Sequence, residues 1–427
     1  EAVKQLKARG MEGCVKLLHF HMGSQITSIN AIKKVLKESV RVYTELYKLC
    51  PEIEFLDVGG GLGVDYDGSC TNFDSSMNYT TEQYARDIVW EISSVCDELK
   101  IPHPTIISES GRALVAHHAV LITEVLDVAE VPEPPVALEQ APSKNDKIQD
   151  LVTLYKDLNL KNCHEVFSDA LALREEFLQM FVQGNLSLEE RAFAERTLRF
   201  LFTRISALKN SMKHVPEDFD VLEGMLKDTY FCNFSVFQSM LDHWAIEQLF
   251  PIMPIHRLET QPTRRAVIAD LTCDSDGKID KFIDLKGIQR YIDLHPYKGD
   301  QPYYIGMFLV GAYQECLGNL HNLFGDTNAV HVEVDENGRP RITSIVEGDT
   351  IKEVLGYVQY TQEDLLYGIH GLIDRAVRQG DMSAEESAKF MQRYKESLSG
   401  YTYLLWESPN SSVMPFRETF KLSQGAS

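Results

Sequence analysis

The chain has 427 residues, of which 44% are hydrophobic and 10% aromatic, and its formal net charge at pH 7 is −21. This length and composition exclude a disordered chain and predict two or three globular domains. The negative charge argues against nucleic acid or an anionic membrane as partner, and the sequence has no apolar run of the roughly 18 residues that a membrane span needs.

The cysteines indicate the redox compartment of the protein, and the first residues indicate where in a domain the chain begins. Eight cysteines are scattered from Cys14 to Cys316 without a C-x-x-C pair, a pattern typical of reduced thiols in a cytoplasmic protein. The chain does not begin with Met, and EAVKQLKARG (1–10) has the pattern of a helix already under way. We therefore expect the chain to begin inside a domain.

The first part of the chain alternates strand and helix patterns. VKLLHFH (15–21), IEFLDV (53–58) and PTIISE (104–109) predict short strands, and apolar residues recur at helical spacing over 29–50 and 81–100. This order predicts a parallel sheet or barrel whose chemistry lies at the carboxyl ends of its strands. The three strands end in the polar motifs HFHMGSQ, DVGGGLGVDY and SESGRALVA.

The composition and the predicted secondary structure change several times along the rest of the chain. A further strand, AVLITEVLDV, precedes a Pro/Glu-rich linker at 130–146, and a hairpin is predicted over 329–346 with Asn337-Gly338 as a type I′ turn. We predict four units, which are a partial (β/α) barrel at 1–130, a linker and inserted helical bundle at 131–228, a β domain at 229–350, and a C-terminal helical region and tail at 351–427.

The glycine run in LDVGGGLGVDY (56–66) is the first candidate binding site. Consecutive glycines at a strand end indicate positive φ angles or the close approach of a ligand, and their N–H groups can form a nest for a phosphate. A tight turn without a ligand is the alternative. Neither the P-loop nor the G-x-G-x-x-G fingerprint fits the spacing of Gly59, Gly60, Gly61 and Gly63.

Two other strand ends carry titratable residues. His19 and His21 lie on the same face of a predicted strand and are either core histidines or functional ones. Glu109 and Arg112 in SESGR either form an ion pair within a loop or bind different parts of one ligand. In the second case Arg112 binds an anion while Glu109 holds a proton on a heterocyclic nitrogen, as pyridoxal phosphate chemistry requires.

Later motifs add a thiol, two carboxylates and a phenol. DLTCDSDG contains Cys273, Asp274 and Asp276, which form either a simple turn or a site where the thiol steers a proton and the carboxylates bind a guanidinium. GAYQE places Tyr313 after a small Gly-Ala pair, where its hydroxyl could complete a phosphate site.

These motifs in order resemble biosynthetic arginine decarboxylases, of the alanine racemase-like fold type III of pyridoxal phosphate enzymes. The motifs are FHMGSQ, DVGGGLGVDY, ESGRALVAHH, YFCNFSVFQS, DLTCDSDG and VGAYQECLGNLHNLFGD. The resemblance implies the C-terminal part of a (β/α)8 TIM-like barrel that binds pyridoxal phosphate. It also implies a following β-sandwich or barrel domain with an inserted helical bundle, and C-terminal helices.

The resemblance also implies roles for individual residues. The cofactor would be bound by His21, Ser24, Gly59, Gly60, Gly61, Glu109, Gly111, Arg112 and Tyr313. In that arrangement His21 stacks on the ring and Glu109 pairs with its nitrogen, and both count as catalytic. Cys273 and Asp274 would enter from the partner subunit of a homodimer or larger homo-oligomer, to govern protonation and to bind the distal cation. Asp276 is our addition for the guanidinium. The remaining substrate contacts would be Leu56, Asp57, Val58, Gly63, Val64, Asp65 and Tyr66.

The implied activity is the pyridoxal phosphate-dependent decarboxylation of L-arginine to agmatine and CO2, in arginine catabolism and putrescine and spermidine biosynthesis. Magnesium is a family expectation for which the sequence offers no ligand cluster. The lysine that forms the Schiff base in this family lies upstream of the motifs seen here, so we expect the chain alone to be inactive and the family sequence to be truncated at its N-terminus. The alternatives are a type III decarboxylase acting on ornithine or diaminopimelate, and an inactive binding protein comparable to antizyme inhibitor.

Overall fold

The first unit is a three-stranded parallel sheet with helical crossovers. The structure, a computed structural model, describes residues 1–405 except 210, 213, 214, 285, 286 and 300. After helix α1 (Ala2–Ala8), the elements in order are β1 (Leu17–His19), α2 (Ile29–Leu49), β2 (Phe55–Asp57), α3 (Thr81–Leu99) and β3 (Thr105–Ile107). The strand order is β1-β2-β3, and both pairings are parallel, as the alternating pattern predicts.

The crossover helices form because each carries one apolar stripe. In α3 the buried residues Tyr84, Ile88, Ile92 and Cys96 recur every fourth position and pack with the apolar face of α2 against the sheet. The helix begins where the Thr80 hydroxyl accepts the Gln83 N–H. Because all three strands run parallel, their carboxyl ends lie at the same edge of the sheet, and the polar motifs follow them there.

The next strand leaves the parallel sheet. A short helix, α4 (Gly111–Val115), leads into β4 (Val120–Ala129), which pairs antiparallel with two strands of a second sheet, β5 (Asp228–Cys232) and β12 (Tyr304–Phe308). The predicted barrel boundary at residue 130 is thus too late by one strand. The cause is non-local, since both partners of β4 lie about 100 residues or more downstream.

The inserted segment is a helical bundle with a core of its own. Its helices are α5 (Asp146–Asp157), α6 (Cys163–Val182), α7 (Leu188–Lys209) and α8 (Asp220–Met225). Phe167, Phe202 and Phe219 meet edge to face at its centre, in a cluster that shares no residue with the two other cores. The bundle therefore buries its apolar residues without help from the sheets.

The second sheet has seven strands and is mostly antiparallel. Its order is β11-β7-β5-β4-β12-β6, with β8 beside β7, and only β5 and β7 run parallel. The bounds not yet given are α9 (Val236–Ser239), α10 (Leu241–Ala245), β6 (Ile252–Pro254), β7 (Arg264–Ala269), β8 (Lys278–Ile279), β9 (Phe282–Asp284), β10 (Gly287–Gln289) and β11 (Ile292–Leu294). Its core also takes in Val64, Tyr66 and Ala116, so the two sheets pack together.

A hairpin and three helices complete the described chain. They are β13 (Ala329–Val334), β14 (Pro340–Val346), α11 (Ile351–Tyr357), α12 (Gln362–Gln379) and α13 (Ala384–Leu398). The predicted type I′ turn is wrong, because Gly338 has positive φ and Asn337 does not. The Asp335 carbonyl accepts the Gly338 N–H, which gives a longer loop with glycine in the left-handed position.

Two further observations concern the C-terminal tail and the helices as a group. The predicted tail beyond residue 405 lies outside the described residues. Among the helices that the structure describes, none has the length and apolar character required to cross a membrane.

Candidate active site

The glycine run after β2 forms a tight loop against the end of β1. Gly59 has φ +67° and Gly61 has φ +105°, a region that favours glycine. A Cβ at Gly59 would overlap the Phe20 carbonyl oxygen, and one at Gly61 would lie 3.0 Å from Ile26. The loop therefore requires glycine at both positions, as the sequence indicates, and its backbone approaches the segment after β1 closely.

Asp57 anchors this loop from the end of β2. Its side chain is only 12% exposed; one oxygen accepts the Gly59 N–H at 2.9 Å and the other lies 3.0 Å from His19 Nδ1. On the other side, the Glu109 N–H donates to the Gly59 carbonyl at 3.0 Å. The carboxyl ends of all three parallel strands are thus tied to one glycine.

His21 and Glu109 lie beside the loop. The Gly60 N–H donates to His21 Nδ1 at 3.2 Å, and Glu109 Oε2 is 3.6 Å from the same nitrogen. Because Nδ1 accepts a hydrogen bond, a neutral His21 carries its proton on Nε2. Both side chains are about half exposed, so both can contact a ligand over the glycine loop.

Arg112, on α4, is a buried cation held by uncharged groups. Its guanidinium donates to Ser24 Oγ from Nε and Nη2 at 3.2 and 3.1 Å and to the Tyr66 hydroxyl at 2.9 Å. The Tyr313 ring lies 4.9 Å from its central carbon. Burial raises the pKa of Tyr66 although the nearby guanidinium opposes this, so Tyr66 stays a neutral partner.

The charge of Arg112 has no partner of opposite sign in the described part of the chain. The residue is 5% exposed, and the ion pairs found among the described residues do not include it. Removing a cation from water without a counter-charge is costly, so such a site is suited to bind an anion. The glycine loop, Ser24 and Arg112 together form a candidate phosphate site.

Cys273, Asp274 and Asp276 form a separate group on the loop after β7. Asn322 Oδ1 accepts both the Cys273 N–H at 3.2 Å and the thiol at 3.6 Å. Asp274 lies 3.8 Å from His321 Nε2, and Asp276 accepts the Trp244 indole N–H at 3.4 Å. In the contacts of the described residues, this group does not reach Arg112 or the glycine loop of its own chain.

Several predicted substrate contacts have other surroundings. Leu56, Val58 and Val64 are at most 1% exposed and lie in hydrophobic cores, so only their backbone groups could meet a substrate, and their assignment stays a prediction. Gly63 donates its N–H to the Tyr79 hydroxyl. Asp65 accepts from Ser76 and Cys70; these hydrogen bonds lower the pKa of Asp65 although burial alone would raise it.

The remaining predicted residues keep room for a ligand. A Cβ at Gly111 would meet nothing within 4 Å, and Tyr313 is 38% exposed with φ +71°. Sequence reasoning did not assign His321 or Asn322, although both lie in the motif VGAYQECLGNLHNLFGD. The available signal was Asn322 itself, because asparagine is enriched at left-handed positions.

One donor set could hold a metal ion among the described residues, consisting of His19, Asp57 and Glu109. It does not fit magnesium, which prefers an octahedron of oxygen ligands. An imidazole supplies one donor, and both Asp57 oxygens already bind His19 and Gly59. We assign no magnesium-dependent step to this chain.

Family models match three parts of the chain. They are described as the pyridoxal-dependent decarboxylase pyridoxal binding domain (residues 1–116), the arginine decarboxylase helical bundle domain (141–223) and the arginine decarboxylase C-terminal helical extension (351–404). The matches follow the parallel sheet, the bundle and the last helices, in that order.

Full-length comparisons extend the same similarity over almost the whole chain. The biosynthetic arginine decarboxylase of Bacteroides thetaiotaomicron is 46% identical over 95% of this chain and 64% of its own length, and that of Thermosynechococcus vestitus 48% over 94% and 63%. The crystal structure of the Campylobacter jejuni biosynthetic arginine decarboxylase superposes with a TM-score of 0.79 at 32% identity, over 95% of this chain and 66% of that one. This chain belongs to the biosynthetic arginine decarboxylase family.

Family membership confirms the predicted fold class. The three parallel strands are part of the (β/α) barrel of fold type III decarboxylases, and the seven-stranded sheet is the β domain that carries the inserted bundle. The chain spans a little over three fifths of the length of the curated arginine decarboxylases that it matches.

Proposed function

We propose that the complete protein is an arginine decarboxylase that converts L-arginine to agmatine and CO2 with pyridoxal phosphate. The observation that carries the proposal is the buried Arg112 guanidinium, whose described partners Ser24, Tyr66 and Tyr313 are all uncharged. Together with the glycine loop it fits the cofactor phosphate, and the family similarity supplies the rest of the argument.

Different residues around the glycine loop would bind different parts of the cofactor. The loop of Gly59, Gly60 and Gly61 and the start of α4 at Gly111 would bind the phosphate with Arg112. Because the Gly59 and Gly60 N–H groups donate to Asp57 and His21, the N–H group that the loop would offer the phosphate is that of Gly61. His21 would stack on the ring, and Glu109 would keep a proton on the ring nitrogen. When bound, the cofactor supplies an electron sink for the electron pair left as CO2 departs.

The substrate cation and the final proton are assigned to the group after β7. Cys273 would deliver or steer the proton to Cα, and Asp274 would bind the guanidinium with Asp276. We propose that this group acts across a homodimer interface, because its described contacts do not reach the glycine loop of its own chain. Each site would then be built from two subunits.

Substrate assays of the full-length protein test the activity. Arginine, ornithine, lysine and diaminopimelate are offered in parallel, and we expect arginine to be preferred. Preference for one of the others would replace the proposed substrate with that amino acid. No decarboxylation by a protein that binds pyridoxal phosphate would favour an inactive binding protein.

Hybrid dimers test the shared site. Full-length Cys273→Ala protein is mixed with a variant that lacks the Schiff-base lysine, and subunits are allowed to exchange. About a quarter of wild-type activity should return, because random pairing in a two-fold dimer makes half of the dimers hybrid, each with one intact site. A mixture whose activity does not rise above that of the two variants alone, after exchange has been verified by mass spectrometry, would refute the shared site.

We also propose cytoplasmic localisation and a place in polyamine biosynthesis. All eight cysteines are free, which is typical of a reducing compartment. Fractionation of the source cells with an antibody to the protein tests the first point, and agmatine content after gene deletion tests the second. The four predicted units remain our proposal, with the first boundary moved to the start of β4.

A further inference from the structure

Asn322 is the hydrogen-bond partner that the structure describes for the Cys273 thiol. Its side-chain oxygen accepts the Cys273 backbone N–H at 3.2 Å and the thiol at 3.6 Å. One oxygen therefore binds the residue at two points, and the two contacts together limit rotation of the thiol about the Cα–Cβ bond.

The backbone holds Asn322 in an uncommon conformation to make these contacts. Asn322 and Leu323 have φ of +57° and +58° in a short turn that the Leu323 N–H closes onto the Leu320 carbonyl. Asparagine accepts this left-handed region more readily than other residues with a Cβ. The preceding His321 packs its ring against Phe237, with centroids 4.5 Å apart, which fixes the position of the turn.

We propose that Asn322 is a positioning residue that aims the Cys273 thiol at the substrate Cα. The inference rests on the proposed function, since it concerns the proton that completes decarboxylation. Asn322 does not touch the reacting atoms in this assignment. It acts through Cys273, and its loss should change where the proton goes more than how tightly arginine binds.

Two products report where the proton goes. When the C–C bond to the carboxylate breaks, CO2 leaves and its electron pair stays with the substrate and cofactor. A proton on Cα, followed by release, gives agmatine and regenerates pyridoxal phosphate. A proton on the cofactor carbon, followed by hydrolysis, leaves the amino nitrogen on pyridoxamine phosphate and releases the aldehyde 4-guanidinobutanal. The ratio of aldehyde to agmatine therefore measures the aim of the thiol.

Asn322→Gly in the full-length holoenzyme is the sharpest variant. Glycine adopts the same positive φ without strain, so the backbone turn is retained while the side-chain oxygen is removed. We expect the ratio of aldehyde to agmatine to rise about fivefold, the factor that one hydrogen bond of ordinary strength represents. Asn328→Gly is the matched control, because it removes an asparagine that accepts the Gly348 N–H at 2.9 Å elsewhere. It should keep the wild-type ratio.

A double-mutant cycle separates positioning from general damage. In a Cys273→Ala background, Asn322→Gly should add nothing to the product ratio, because the group on which it acts is gone. An independent effect of Asn322→Gly in that background would show that it acts without Cys273. An unchanged ratio in the single variant, with normal arginine decarboxylation, would overturn the inference and leave the proposed function intact.

Alkylation of Cys273 is a second readout that does not depend on turnover. Iodoacetamide reaction is followed by peptide mapping in full-length protein without substrate, with the exposed Cys14 as internal reference. Removing the contact should raise the Cys273 rate about fivefold relative to Cys14. An equal rate in wild type and Asn322→Gly would contradict the contact itself, even if the protein proved to decarboxylate another amino acid.

Discussion

The charge and the hydrogen-bond geometry of Arg112 can be tested separately. Three uncharged groups hold the guanidinium in a fixed plane, with two hydrogen bonds to Ser24 and one to Tyr66. A lysine ammonium keeps the charge but cannot reproduce this fork. Replacement by lysine therefore separates the effect of geometry from the effect of charge.

We predict that Arg112→Lys weakens cofactor binding by about 30-fold or more, because a buried hydrogen-bonded charge that loses its geometry costs about 2 kcal/mol or more. Titration of the full-length apoprotein with pyridoxal phosphate, followed by absorbance, gives the Kd. Arg196→Lys is the control, since Arg196 in α7 forms an exposed pair with Glu139 of the linker. An unchanged Kd for Arg112→Lys would remove it from the phosphate site.

Glu109 should affect the reaction more than the affinity. We predict that Glu109→Gln lowers kcat by about 100-fold or more while the cofactor Kd changes little, because the phosphate contacts remain and the charge that stabilises the protonated ring is lost. Glu52→Gln, at an exposed pair with Lys16, is the matched control. Near-normal turnover of Glu109→Gln would contradict the assigned role.

At this scale the sequence predicted single residues better than their partners. The predicted positive φ angles and close backbone approach are confirmed at Gly59 and Gly61, because a glycine run at a strand end is typical of both. Tyr66 was assigned to the substrate, whereas its hydroxyl binds Arg112 from 46 positions away. No local pattern reveals a contact of that kind, because it depends on how the two sheets pack.

Among the elements, the glycine loop should be destabilised by an added methyl group. We predict that Gly59→Ala lowers the free energy of unfolding by about 1–3 kcal/mol, from the positive φ and the overlap with the Phe20 carbonyl. Urea unfolding of the full-length protein measures it. Gly371→Ala, in α12 with open space around its Cα, should instead raise stability by up to about 1 kcal/mol. Equal effects of the two changes would contradict the loop geometry.

The N-terminus of α13 offers a pH-dependent test. Ser383 and Glu386 form a capping box, in which the Ser383 backbone N–H donates to the Glu386 carboxylate and holds the pKa of Glu386 below 4.5. A lowered pKa in the folded state means that the unfolded chain takes up the proton first as pH falls. The stabilisation is therefore complete above pH 4.5 and disappears as pH falls through the lowered pKa.

We predict that Ser383→Ala costs about 1 kcal/mol of stability at pH 7, as removal of a helix cap usually does. The difference from wild type should shrink in acid, because part of the box is then already lost. Urea unfolding at pH 7 and at pH 3.5 gives both values, and Ser387→Ala within the same helix is the control. A difference that grows in acid would contradict the sign worked out above.

Element types were predictable where one pattern lasted long enough. The helices α2 and α3 begin at the predicted residues, since an apolar stripe of five turns is unambiguous. YFCNFSVF (230–237) opens the predicted β domain, but only its first residues form a strand. The strand ends at Cys232, and Val236 starts α9 because the distant Asp270 accepts its N–H at 2.8 Å.

For the whole molecule, the order of strands in space was the least predictable feature. β4 follows the parallel sheet in sequence but joins the other one, and its partners are β5 and β12. The hydrophobic periodicity, which is 2 residues in a strand and 3.6 in a helix, indicates which face of an element is buried. It does not indicate with which distant strand that element pairs. Family similarity supplies that information, whereas composition does not.

The pairing of Ala129 with Thr229 makes the helical bundle the connection of a hairpin. An unstructured loop of its length would add only about 3 kcal/mol of closure entropy over a four-residue turn, and a bundle that folds first removes most of that cost by bringing its own ends together. We therefore expect α6 and α7 to gain protection in pulsed hydrogen exchange before β4 and β5 do. Simultaneous protection would contradict this order. In kinetic terms the folded bundle acts as a large turn, and its formation precedes the pairing of β4 with β5.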